Sequence, residues 1–299
     1  MDQGLLNTAT LSNLAFTSRV SVADDDDEPV WWLPKISALK LFSSVTLFII
    51  LAQLILFIYV VFVLSVASPT VNPTLGPTPC GLITFGAKFS PFIVHKAEYW
   101  RLVTANFIHS GFITLIITIL LEIVLMLPIE IEFGRIIVFV VFIISGMTGY
   151  TFSAVASPVS VDTGGLCAAM GFVGFRVSLG ILDWDSVMRG RRKFGTIEIG
   201  SAIITLIVGQ SPFVDSYGSF VGFVMGCFLG GAYFANKIDT AEPTQKLVAV
   251  LAILASVFVI FVCAFLLAAG SYPLLDQIIW TSICVKTTSS LFSNFQLPS

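Results

Sequence analysis

The stretch Asp162–Gly174 reads DTGGLCAAMGFVG. It has the form of a glycine turn opening a helix, and a turn of that kind often presents a nucleophile. The positions that would carry one hold Leu166 and Cys167, with no serine between the glycines. A thiol in apolar surroundings is inert unless a cation or base lies near it. The chain has only two histidines, His95 and His109, and none beyond them. Two charged residues, Glu122 and Arg176, lie inside apolar runs, where ionisable groups are functional suspects by default. Glu122 lies about 20 Å along a helix from His109, and Arg176 about 15 Å from Leu166. Both then fall in the inner half of the bundle, and an ion pair between them is expected. Glu130, in EIEFG, has no partner acid or metal ligand spaced beside it, so a role in capping its turn is expected rather than chemistry. No metal site and no cofactor is indicated.

These residues need a frame to position them. Of 299 residues, 56% are hydrophobic and 11% charged, and the mean hydropathy is +0.96. Soluble domains carry roughly 25% charged residues, so the composition indicates a membrane protein. A net charge of −3 argues against a nucleic-acid partner, which requires a basic face. The five cysteines form no CxxC pair and give no framework.

A membrane span needs about 20 mostly apolar residues. Seven segments qualify as candidates: Leu41–Val66, Val103–Met126, Ile136–Ala156, Gly165–Leu182, Phe194–Ser211, Gly218–Ala235 and Leu247–Ala269. The fourth to sixth are short and rich in small residues, which suits close packing inside a bundle. With the N-terminus in the cytosol, the inner segments hold ten Lys and Arg and the outer ones four. The positive-inside rule favours that orientation, with Arg189–Lys193 (RGRRK) as the strongest anchor. The acidic run Asp24–Glu28 reads as solvated chain, and Trp31 and Trp32 suit the interface. The first outer loop, Ala67–Tyr99, is long enough to be functional or disordered. No inverted repeat is visible, which counts against a transporter.

The order of motifs resembles the rhomboid superfamily of intramembrane serine proteases. Trp100-Arg101 is followed by His109, then Glu130 and Gly134, then Gly164, Gly165, Gly171 and Gly174, and last Gly222, Gly226 and Gly230. The resemblance covers roughly residues 86–236. It implies an all-α polytopic fold: a six-helix core over 41–236 after a cytosolic acidic segment 1–40. One extra span and an outer tail then occupy 237–299. It also implies a water-filled cavity opening outward, a serine at the start of the fourth helix and a histidine on the sixth. Here the serine position is Leu166, if Gly164, Gly171 and Gly174 set the frame, or Cys167, if Gly165-Leu166 does. The histidine position is Ser219, and the two oxyanion-holding positions are Thr114 and Thr118. Trp100 and Arg101 are expected to brace the outer loop and His109 to order it. Gly222, Gly226 and Gly230 read first as a small-residue packing ridge. The resemblance thus implies a scaffold without its Ser/His dyad. Such relatives are thought to bind transmembrane segments of client proteins. The alternative is an active protease using Cys167.

Overall fold

The computed structural model describes residues 44–182, 184–237, 243–270 and 272. The acidic segment, Trp31, Trp32 and the tail beyond Tyr272 lie outside the described residues, and the side chains of RGRRK are not described. Among the described residues ten helices follow one another: α1 (Val45–Leu64), α2 (Pro79–Phe85), α3 (Ser90–His95), α4 (Arg101–Thr104), α5 (Phe112–Phe133), α6 (Arg135–Ala156), α7 (Leu166–Leu182), α8 (Trp184–Val208), α9 (Ser216–Lys237) and α10 (Pro243–Ala269). Among the described residues there is no strand, only a single bridge between Lys88 and Asp162. The chain is an all-α polytopic membrane protein.

The seven long helices fall on the seven expected segments. Four stretches are long and apolar enough to cross a membrane by themselves: α1, α5, α6 and Val250–Ala269 of α10. The 17-residue α7 is shorter, and it is the hub of the bundle. It packs against α9 above all, then against α6, α8 and α5. Its residues Leu166, Ala168, Phe172 and Phe175 join Leu125, Met126 and Phe142 in the main core.

Two boundaries differ from expectation. The second span begins at Phe112, not Val103. The apolar residues from Leu102 to Ile108 belong instead to the short α4 and the turn after it, where Leu102, Ala105 and Ile108 are buried. The helix then runs through Pro128 to Phe133. Helix α8 starts at Trp184, ten residues before its apolar part, because Arg, Lys and Met are good helix formers.

The loop between α1 and α5, expected to be the first outer one, is structured. Thr78 accepts a hydrogen bond from Gly81 N, and Pro79 occupies the first turn of α2. That pairing of N-cap and proline is a local helix-start signal. Leu82, Ile83, Ala87, Phe89 and Phe92 form a second apolar cluster with Ile108 and Val161. Cys80 in this loop is disulfide-bonded, which corrects the reading that the cysteines supply no framework. Cys167, Cys227 and Cys263 are free.

Candidate functional site

The loop before α4 is held by a buried guanidinium. Arg101 donates to the carbonyls of Ile83 and Ala87 and pairs with Glu98. Burial draws its pKa down, and the Glu98 carboxylate works against that. The Trp100 ring sits over Gly86, whose φ of +108° suits only glycine, and Arg101 lies 4.7 Å from the same ring.

His109 is 1% exposed in the turn before α5. Burial holds its imidazole at a pKa of about 4, so it is neutral at pH 7. Its nearest polar partner is the Phe107 backbone, at a geometry short of a full hydrogen bond. Thr114 is committed locally. Its hydroxyl donates to Gly111 O, at 2.9 Å, and accepts from Gly111 N, at 3.1 Å. Thr118 is fully buried deeper on α5, and its methyl faces the backbone of Gly165.

The flank of α7 that meets α9 is built from glycine against backbone. A Cβ on Gly222 would strike the carbonyl of Cys167, one on Gly226 that of Gly171, and one on Gly230 that of Phe175. From the other side, a Cβ on Gly174 would strike the carbonyl of Phe223. Gly164 adopts φ +112° to turn the chain into α7 and donates to Ala105 O. Gly134 adopts φ +93° between α5 and α6.

At the upper end of this crossing the two serine frames separate. Leu166 turns into the main apolar core, beside Ile49 and Leu121. Cys167 turns toward α6 and α9. Its Sγ lies 2.9 Å from where a Cβ on Gly218 would stand, within hydrogen-bonding reach of Ser219. The side chain that meets Ser219 is therefore that of Cys167. Ser219 is not a base, and its hydroxyl donates to Asp215 O at 2.6 Å. Neither histidine reaches the thiol: His95 ends α3, and His109 stands in the turn before α5.

None of these positions, Leu166, Cys167 and Ser219, is exposed to solvent: their exposures are 2%, 1% and 4%. Above them Lys88, wholly buried, bonds Asp162 at 2.7 Å, together with Ser160 Oγ and Ser157 O. The Lys88–Asp162 bridge joins the first outer loop to the loop entering α7. Asp215 caps α9 through Gly218 N at 2.8 Å. Burial, and then Asp162 nearby, raise its pKa to about 6. No sequence pattern foretold this network, since Lys88 and Asp162 are 74 positions apart.

The expected pair between Glu122 and Arg176 does not form. Arg176 pairs with Glu198 of α8 at 2.6 Å, and Glu122 accepts from Gln53 of α1 at 2.7 Å. The reason is depth. Helix α7 starts level with Glu122, so its Arg176 lies nearly three turns away. Glu130 does act as a cap, but of another element. It accepts from Ser44 Oγ, Val45 N, Thr46 N and Thr46 Oγ1, at 2.7 to 2.9 Å, at the N-terminus of α1.

Comparison with known proteins fits this arrangement. A family model for the rhomboid domain matches residues 96–236. RHOMBOID-like protein 1 of Arabidopsis thaliana is 31% identical over 159 residues, 53% of this chain and 41% of that protein. RHOMBOID-like protein 6, mitochondrial, of the same plant is 30% identical over 159 residues, covering 53% and 52%. Inactive RHOMBOID-like protein 8 is 27% identical over 164 residues, covering 54% and 45%. The chain thus spans about half the length of these relatives.

Proposed function

We propose that this chain, which matches the rhomboid-domain model over residues 96–236, is a rhomboid pseudoprotease. It keeps the bundle, has lost the Ser/His dyad, and binds transmembrane segments of client proteins to govern their trafficking or degradation. One observation carries the reading: Cys167 and Ser219 face each other where a nucleophile and its base would stand, and no imidazole is within reach. The ionisable group beside the thiol is the Asp215 carboxylate, a poorer base for a thiol than an imidazole.

Client binding draws support from α8. It packs chiefly on α7, and Ile199, Ile203, Leu206 and Ile207 leave a wide apolar flank of at least 50% exposure. A photo-cross-linker at Ile203 should capture transmembrane segments of other proteins, while one at Phe62 on the exposed face of α1 should give only lipid adducts. Equal capture at both positions would defeat the assignment.

The orientation belongs to the same proposal. Cys80, on the side opposite RGRRK, is disulfide-bonded, which requires an oxidising compartment. The first loop then faces a lumen or the exterior, with the N-terminus in the cytosol. A protease using Cys167 is the second reading, favoured by the thiol's place near the head of α7. It requires cleavage that Cys167→Ala abolishes.

A further inference from the structure

Glu122 stands in the middle of the bundle, wholly buried, with no protein cation beside it among the described residues. The three ion pairs there are Lys88–Asp162, Arg101–Glu98 and Arg176–Glu198. A carboxylate at membrane depth is costly unless its charge is neutralised. Its one hydrogen bond comes from Gln53 Nε2, which also lies 3.4 Å from the carbonyl of Asn106.

Three helices converge here. A Cβ on Gly165 would stand 2.7 Å from Glu122 Oε1, 3.0 Å from Thr118 Cγ2 and 3.2 Å from Gln53 Nε2. Gln53 and Thr118 are also wholly buried. Glu122 Oε2, Gln53 Oε1 and Thr118 Oγ1 have no hydrogen-bond partner. The first two can only accept while Glu122 is ionised, and Thr118 alone can donate. The junction is therefore rich in oxygen acceptors and short of positive charge.

We propose that Glu122, Gln53 and Thr118, with the Asn106 carbonyl, form a binding site for one small monovalent cation such as sodium. Hard oxygen donors suit an alkali or alkaline-earth ion. A single carboxylate matches one positive charge, whereas divalent sites usually gather more. No group of three His, Cys, Asp or Glu side chains able to hold a metal occurs among the described residues. A proton on Glu122 would neutralise the charge but add one donor only; a cation engages several oxygens at once. The bound ion would tie α1, α5 and α7 together at the level where α7 begins.

The test is the melting temperature of the purified full-length protein as sodium chloride replaces choline chloride at constant ionic strength. Potassium chloride serves as the size control. Ligand linkage predicts a rise of about 5 to 10 °C once sodium reaches about a hundred times its Kd, growing with the logarithm of concentration. The rise should be smaller in potassium and vanish in Glu122→Gln. Should Glu122→Gln fail to fold, Thr118→Val should shift the sodium response to higher concentration. A melting temperature indifferent to the cation means that Glu122 carries only a proton, and overturns the proposal. A sodium response that survives Glu122→Gln, or is unmoved in Thr118→Val, also overturns it, because the ion would then bind elsewhere.

Discussion

The two ends of the α7–α9 crossing follow different rules. Along its length, glycines on both helices meet carbonyls of the partner, at Gly174, Gly222, Gly226 and Gly230. Such a surface has one solution, since any added Cβ meets backbone that cannot swing aside. At the head of the crossing, Cys167 and Ser219 are small side chains that meet each other, Ser219 bonding back to Asp215 O, roofed by the Lys88–Asp162 bridge. Neither position holds a serine–histidine pair, while the glycine packing below them is continuous.

That contrast can be broken from either side. The largest effect is expected in the roof. Lys88→Met removes a buried cation and leaves Asp162 uncompensated, which should cost about 3–5 kcal/mol of stability in detergent melts. Gly226→Ala forces a methyl against the Gly171 carbonyl and should cost about 1–3 kcal/mol. Gly134→Ala, where nothing lies within 4 Å, should lose only the smaller cost of φ +93°.

Asp215 sharpens the comparison through pH. Its folded pKa, about 6, is raised above the ordinary aspartate value. Its stabilising contribution is therefore full below about pH 4 and is lost as pH rises through about 6. Asp215→Asn keeps a capping oxygen, so melts over that window should flatten in the variant. The smallest effect belongs to the site itself. Ser219→Ala gives up one hydrogen bond to a backbone carbonyl and should cost about 0.5–1.5 kcal/mol. A loss at Ser219 as large as that at Gly226 would erase the distinction between scaffold and site.

Four of the seven long helices were legible as apolar runs of spanning length, α7 to α9 as shorter runs rich in small residues, and the glycine ridge because its spacing is local. Val103–Ile108 misled because apolar residues also pack in a short helix and turn outside the span. Glu122 and Arg176 misled because residue counts along two helices say nothing of the depth at which the second begins. The partnership of Cys167 with Ser219, the capping of α1 by Glu130 and the Lys88–Asp162 bridge are all contacts between distant segments. Of these, only the capping role of Glu130 had a local hint, the lack of any spaced acid or metal ligand beside it.

The central claim is that the dyad positions are chemically silent. The most direct measurement is cleavage of model transmembrane substrates on co-expression, beside Cys167→Ala and an active rhomboid as control. The account predicts no product from the folded wild-type protein and none from Cys167→Ala, while the control cleaves. A product from the wild-type chain that disappears in Cys167→Ala would contradict it and make the thiol a nucleophile.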